Sequence, residues 1–516
     1  MIASNSRTKK TIVNIAFGFL GQFSNQIMAF IVRTVFINTL AIEYLGVNGL
    51  FANILAFLSL AELGIASAMI YSMYGPVARK EDKKVQVYMS LYKKFYRTIG
   101  VIILLLGFSL TPFLNLFFKE RPDIPYLELI FILFVINSAT SYFYSYKGSI
   151  FRADQRQYIV TNNNTIFTFI QAILRIIILV VFKDFILYLV VSVLCVFTQN
   201  FMLAKKADKE YPFLKEKPTE RLSKEEEKTL YKNVGAMFMQ KLGSVVLNAS
   251  DNIILSKFAG LIVVGLYSNY ALIIGIVKSI FNTIADGILP SVGNLCAKET
   301  VSHAEKNFNA LLLLNIWGIG FCCISLYILL NPFIELWIGI KYTLSYSVVL
   351  FSVISLYVQM TMRAAEMFKS ATGLFWNDRY IPLIQCLLNI LLSVYLVRKY
   401  GISGIFIGTT VSMITTSFWI TPYIVYKHYF KKHILQYFLR IFWYTCVIVV
   451  AGLITNKTSQ VTIDNNILAF IFKVLCCIFI PNLIFLAVFF KSKPFGRILY
   501  LVGIKKHAKD NIKLKS

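Results

Sequence analysis

The chain has 516 residues, of which 57% are hydrophobic and 15% aromatic, and its mean hydropathy is +0.66. These values exclude a soluble domain with one large core and indicate a polytopic membrane protein. The net charge of +27 would suggest a nucleic-acid partner in a soluble chain. Here the basic residues cluster in short connections between apolar runs, so we expect membrane topology, and no nucleic acid, to explain the charge.

The apolar runs predict an all-α fold with about 14 transmembrane helices, since each run is near or above the roughly 20 residues that span a bilayer. Lys and Arg concentrate in alternate connections, and this asymmetry predicts that both termini are cytoplasmic. The runs begin near Thr11, Tyr44, Phe95, Pro125, Tyr158, Phe185, Tyr231, Ala259, Phe308, Thr343, Arg379, Ile402, Tyr437 and Asn466.

The domain organisation follows from one long charged insertion, Lys205 to Lys232, which is typical of a solvated linker. The halves on either side repeat weakly, with Asn14 aligned to Asn233 and Gly46 to Gly265 at a constant offset. We expect an N-terminal six-helix lobe over 1–204, a cytoplasmic linker over 205–230 and a C-terminal six-helix lobe over 231–430. Helices thirteen and fourteen with a basic tail occupy 431–516.

Two apolar helices each carry one line of polar residues at helical spacing. Lipid offers no hydrogen-bond partner, so both faces are expected to look into protein or a water-filled cavity. The first line is Asn14, Gly18, Gln22, Asn25, Ala29 and Arg33, and the second is Asn233, Met237, Lys241, Ser244, Asn248 and Asn252, with Asp251 beside it.

Charged residues within the spans are the strongest candidates for function, because a charge at the bilayer centre costs roughly 2.5 to 3.5 kcal/mol. The basic ones outnumber the acidic ones, which favours an anionic guest such as a phosphate or pyrophosphate. Structural pairing between the two sets remains an open alternative. The candidate substrate-binding residues are Arg33, Lys241, Lys278, Arg175, Asn25 and Gln22, and the candidate cavity or ion-coupling carboxylates are Glu62, Asp251 and Asp286.

An enzymatic function finds little support in the sequence. The four histidines, His303, His428, His433 and His507, show no metal-ligand spacing, and no Walker loop occurs. We therefore expect no metal, no cofactor and no catalytic residues. A membrane polymerase or ligase stays an alternative, although it would be expected to carry a sizeable outer loop, whereas the predicted outer connections are short.

Several stretches together resemble Wzx-type polysaccharide flippases, in the polysaccharide transporter branch of the multidrug/oligosaccharidyl-lipid/polysaccharide exporter superfamily. They are LAELGIASAMIY (60–71), YSYKGSIFRADQR (144–156), ASDNIILSKF (249–258), VGLYSNY (264–270), PSVGNL (290–295) and GLFWNDRY (373–380).

The resemblance implies two six-helix lobes in a V around a central cavity, in the bacterial cytoplasmic membrane. It implies a flippase for undecaprenyl-pyrophosphate-linked oligosaccharide units of capsule, exopolysaccharide or another surface polysaccharide, working by alternating access. Coupling to H+ or Na+, and contact with membrane lipids, a polymerase and other assembly proteins, would follow. A drug/cation antiporter of the same fold is the alternative in substrate class, and an anionic cavity would favour it.

Overall fold

A computed structural model describes the backbone of residues 2–62, 65–216, 218, 220–374, 377–461 and 463–501. Side chains are described for the same residues except 2–20, 60, 61, 67, 233, 236, 237, 239–249, 290, 297, 298 and 501. These residues form helices, short helical turns and loops, with no strand among them. The predicted all-α polytopic membrane fold is confirmed.

Nineteen α-helices follow one another along the described chain. The first nine are α1 (Ile2–Thr39), α2 (Ile42–Leu58), α3 (Ile65–Arg79), α4 (Asp82–Leu110), α5 (Leu127–Tyr144), α6 (Ser149–Ala153), α7 (Gln157–Val181), α8 (Phe185–Glu210) and α9 (Lys224–Ala259). The others are α10 (Leu261–Lys298), α11 (Val301–Ile338), α12 (Tyr346–Thr361), α13 (Arg363–Ala371), α14 (Ile381–Tyr400), α15 (Ile402–Thr415), α16 (Ser417–Val425), α17 (Leu435–Thr458), α18 (Asn466–Phe489) and α19 (Lys493–Leu501).

Eleven helical segments of the described chain are long and apolar enough to cross a membrane. Some join two helices, as in Tyr346–Ala371 and Ile402–Phe430. The remaining predicted spans correspond to α1, to α2 with α3, and to α9, and α2 is a shorter apolar helix of 17 residues. Each of the runs predicted from the sequence therefore has a helical counterpart.

Local chemistry explains where several helices begin and end. The Asp184 side chain caps α8 by accepting hydrogen bonds from the backbone N–H groups of Ile186 and Leu187, at 2.7 and 3.0 Å. Gly260 separates α9 from α10 at a φ of +94°, a conformation that residues with a Cβ rarely adopt. The boundary between two spans is thus fixed by one glycine.

The chain divides into two compact units, Met1–Leu272 with Pro382–Ile405 and Ile273–Ile381 with Phe406–Ser516. In the first, the core contains Tyr92, Tyr96 and Tyr142 of α4 and α5. In the second, α11, α13 and α17 contribute Phe308, Phe368 and Tyr437, and these rings are fully buried. The last two spans, α17 and α18, belong to this second core.

Two glycines allow α2 and α10 to approach closely within the first unit. A Cβ placed on Gly46 would lie 2.3 Å from the carbonyl oxygen of Leu261, and one on Gly265 would lie 2.8 Å from that of Ile42. Small residues let membrane helices pack backbone against backbone in this way. The glycines that align between the two halves of the sequence therefore meet at one helix crossing.

Candidate functional site

A cavity of about 240 Å³ lies in the first unit among α1, α2, α7, α8 and the start of α10. It contains the C-terminal part of the polar line predicted on the first helix, namely Asn25, Ala29 and Arg33. Its lining residues are Asn25, Met28, Ala29, Val32, Arg33, Phe36, Leu45, Asn48, Thr168, Gln171, Ala172, Arg175, Tyr188 and Leu272.

Arg33 reaches the cavity from α1 and is anchored by a neutral group. Its Nη1 donates a hydrogen bond of 2.8 Å to Oγ of Ser268 on α10. The Ser268 hydroxyl in turn donates to the carbonyl oxygen of Gly265 at 2.7 Å. A guanidinium has five N–H donors, so this single bond orients Arg33 while leaving donors for a guest.

Arg175 reaches the same cavity from α7 and is held by two residues of α8. Its Nε donates to Oγ of Ser192 at 2.8 Å, and its guanidinium carbon lies 4.6 Å from the centroid of the Tyr188 ring. The Ser192 hydroxyl donates to the backbone carbonyl of Tyr188 at 2.7 Å. Stacking and hydrogen bonding together fix the plane of the guanidinium.

Within the described part of the chain, no acidic side chain compensates the charge of the cavity. The lining residues include two arginines and, among those described, no Asp or Glu. Among the described residues, no carboxylate forms an ion pair with Arg33 or Arg175; the partners of both are hydroxyls and a ring. Two oriented guanidinium groups are well suited to a phosphate or pyrophosphate, because each can donate two parallel hydrogen bonds.

The two amides proposed as substrate contacts have different positions on α1. Asn25 lines the cavity, and its Oδ1 is buried without a hydrogen-bond partner among the described residues. Gln22 lies about one helical turn before it and is not a lining residue. Asn25 is thus the amide that the fold brings to the arginines.

Of the two lysines proposed as substrate contacts, only Lys278 has a described side chain, and it is not among the residues that line this cavity. Lys278 belongs to the second unit and is partly buried on α10. The side chain of Lys241, on α9, lies outside the described residues. Their roles remain predictions.

The three proposed carboxylates occupy different surroundings. Glu62 accepts hydrogen bonds from the hydroxyls of Tyr96 at 2.5 Å and Tyr142 at 2.7 Å. The Asp286 side chain is 76% exposed, and its Oδ1 lies 3.8 Å from Nη2 of Arg363. Asp251 is partly buried on α9. None of the three is among the residues that line the arginine cavity.

The residues that orient the arginines were missed by sequence reasoning. Ser192, Ser268 and Tyr188 are common residue types in membrane helices, and nothing in their spacing marks them. The sequence feature that could have indicated this cluster is on α7, where Gln171 and Arg175 are four residues apart and share one helix face. In the structure, Nε2 of Gln171 donates to the backbone carbonyl of Ser192 at 3.4 Å.

These features define a multi-pass α-helical membrane protein with an arginine-lined internal cavity. The family model described as polysaccharide biosynthesis protein matches residues 12–295, more than half of the chain. The chain therefore belongs to the polysaccharide biosynthesis protein family. A search of curated protein sequences finds no match.

Solved structures show the same fold at low sequence identity. The lipid II flippase MurJ, in an inward closed conformation, aligns with a TM-score of 0.67 and 14% identity over 95% of this chain and 100% of that one. An inward-facing multidrug resistance transporter of the MATE family, from the MOP superfamily, aligns with a TM-score of 0.62 and 13% identity over 80% and 98%. A MATE transporter of Vibrio cholerae aligns with a TM-score of 0.59 and 13% identity over 83% of this chain and 100% of that one.

Proposed function

We propose that this protein is a flippase that moves undecaprenyl-pyrophosphate-linked oligosaccharide units across the bacterial cytoplasmic membrane during synthesis of a surface polysaccharide. Family membership supports the link to polysaccharide synthesis, and the fold shared with a lipid II flippase supports movement of a lipid-linked substrate. The observation that supports the proposal most directly is the cavity in which Arg33 and Arg175 lie without a described acidic partner.

The chemistry of the proposed substrate matches this lining. A pyrophosphate linkage carries negative charge and several acceptor oxygens, which arginine binds in a two-pronged geometry. In a low-dielectric surrounding, an anion and two guanidinium groups attract each other more strongly than in water. Asn25 and Gln171, which also line the cavity, would supply amide groups to phosphate or sugar oxygens.

The fold is shared with MATE transporters, so a drug/cation antiporter remains the competing function in this architecture. A cationic guest would meet repulsion from Arg33 and Arg175, and no described carboxylate lines the cavity to offset it. A polymerase or ligase is less well supported than a flippase. The family relation and the fold shared with a lipid II flippase both support transport of the lipid-linked sugar.

In the proposed mechanism, two six-helix lobes alternate access to the substrate, and a gradient of H+ or Na+ drives the cycle. Lys241, Lys278 and Gln22 would add contacts to the substrate, while Glu62, Asp251 or Asp286 would carry the ion. Sugar transfer and polymerisation would fall to partner enzymes, so this chain itself would carry no catalytic residue and no cofactor.

The cellular test is export of surface polysaccharide by a strain that lacks the native gene and carries Arg33→Gln or Arg175→Gln. We expect both variants to lower polysaccharide at normal membrane abundance. Arg121→Gln is the matched control, because Arg121 pairs with Glu128 at an exposed site and does not line the cavity. Normal export by both cavity variants at normal abundance would overturn the proposal.

A further inference from the structure

A second cavity in the first unit has a volume of about 420 Å³. Its walls are the N-terminal half of α4, the helical turn Ser145–Gly148 after α5, and the segment that follows α8. It shares no lining residue with the arginine cavity. The distribution of basic residues predicts that these three segments lie on the cytoplasmic side.

Polar contacts tie the segment after α8 and the start of α9 to α4. Nε2 of Gln86, a side chain that is buried, donates to the carbonyl oxygen of Phe213 at 2.8 Å. Nζ of Lys84 lies 3.0 Å from Oε1 of Glu226 in the first turn of α9. These contacts hold the segment after α8 and the first turn of α9 against α4, beside the cavity.

Three of the four described charged residues that line this cavity are basic. Lys93, Lys147 and Lys215 face it, with Glu216 as the acidic lining residue. Lys147 pairs with Asp208, whereas Lys93 and Lys215 form no ion pair with any described residue. An anion in this cavity would neutralise two ammonium groups that have no acidic partner among the described residues.

We propose that this cavity binds a phosphate group at the membrane surface. An ammonium is a compact point charge that binds phosphate oxygens without a fixed orientation, which suits lysines on separate segments. Lys147 lies near the end of the segment Leu127–Ala153, and Lys93 lies in the polar first part of the segment Asp82–Phe117, before its apolar run. We therefore expect both lysines near the level where headgroups meet water. The phosphate would come from an anionic phospholipid or from solution, and the site is independent of the proposed transport substrate.

The test measures the Kd of three probes for the purified full-length protein in detergent by thermal shift. The probes are short-chain phosphatidylglycerol, the matching diacylglycerol without phosphate, and inorganic phosphate. Each of Lys93→Gln and Lys215→Gln is expected to raise the Kd of the phosphate-bearing probe about fivefold, as neutralising one basic residue near a membrane surface does. Lys94→Gln, on the same helix but outside the lining, should leave it unchanged.

Saturable binding of phosphatidylglycerol alone would identify a lipid headgroup as the source, and binding of inorganic phosphate as well would identify a site open to solution. Equal affinity for diacylglycerol, an unchanged Kd in the double variant that combines Lys93→Gln with Lys215→Gln, or an equal loss in Lys94→Gln would overturn the proposal. Lys93 and Lys215 are both exposed, so the melting midpoint without a probe should match wild type. If the double variant melts at a lower temperature than wild type without a probe, the Kd values of the two single variants decide whether the proposal holds.

Discussion

Nη1 of Arg33 on α1 donates a hydrogen bond of 2.8 Å to Oγ of Ser268 on α10. The partner is a neutral hydroxyl, and that hydroxyl also donates to the Gly265 carbonyl. A neutral acceptor orients a guanidinium but leaves its charge in place, whereas a carboxylate would cancel it. A charged side chain can be held in place in this way while its charge stays available to the proposed anionic substrate.

Replacing Ser268 with Ala should weaken substrate binding by misorienting Arg33. A hydrogen bond to a charged group contributes roughly 1.5 to 3 kcal/mol, so we expect substrate affinity to fall at least about tenfold. Affinity and membrane abundance are measured together. The control is Thr283→Ala, also on α10, where the hydroxyl donates to the Ser279 carbonyl of its own helix. An unchanged affinity in Ser268→Ala would show that this bond does not orient the substrate site.

Two substitutions of Glu62 distinguish a structural role of this side chain from a role in transport. In Glu62→Gln the amide oxygen and amide N–H₂ can each bond one tyrosine hydroxyl, so abundance should stay near wild type. In Glu62→Ala the buried hydroxyls of Tyr96 and Tyr142 lose their acceptor, at about 1 to 3 kcal/mol for each unsatisfied group. Melting midpoint in detergent is the measurement.

Glu128→Ala provides the control for this pair, because it removes an exposed carboxylate whose ion pair with Arg121 contributes little. If Glu62 carries the coupling ion, Glu62→Gln at normal abundance should also lose the dependence of transport on H+ and Na+ gradients. A melting midpoint as low in Glu62→Gln as in Glu62→Ala would contradict the expected exchange of hydrogen bonds.

The crossing of α2 and α10 gives a prediction about packing. Gly46→Ala would place a methyl group 2.3 Å from the Leu261 carbonyl oxygen, so the helices must separate and the melting midpoint should fall, with a cost of about 1 to 3 kcal/mol. Gly49→Ala, one turn along the same helix, would place its methyl 3.5 Å from Val264. That distance is an ordinary contact, and this variant should melt like wild type. Equal midpoints for the two variants would contradict the close approach.

The orientation in the membrane is tested by reporter fusions. The excess of Lys and Arg in alternate connections predicts cytoplasmic signals for fusions after Arg221 and after Ser516. A fusion after Lys457, in the last turn of α17, should report the outside. A cytoplasmic signal at Lys457 would exclude the topology with about 14 spans.

Helix positions were predictable from the sequence because the signal is local. Apolar length and basic connections located the spans, and the line through Asn25 and Arg33 pointed to one face of α1. That face does line a cavity, and Arg175, chosen for its charge within a span, lines the same one. The face of a helix on which a residue lies follows from its spacing in the sequence.

Partners across helices could not be predicted in the same way. The open alternative paired the basic residues with Glu62, Asp251 or Asp286, but Arg33 bonds Ser268, and Arg175 bonds Ser192. Glu62 bonds tyrosine hydroxyls. Which hydroxyl meets which charge depends on how α1, α8 and α10 are rotated against each other, and no property of a single helix encodes that rotation.

The central claim is that the cavity of Arg33 and Arg175 carries a pyrophosphate-linked substrate across the membrane. Its most direct test is the transfer of undecaprenyl-pyrophosphate-linked oligosaccharide between the leaflets of vesicles that contain the purified protein, measured at equal protein content. We predict transfer by wild type and by Arg121→Gln, and rates at least about tenfold lower for Arg33→Gln and Arg175→Gln, since each loses a charged hydrogen-bond donor. Transfer at the wild-type rate by both cavity variants, or transport of a cationic drug in place of the oligosaccharide by wild type, would contradict the claim.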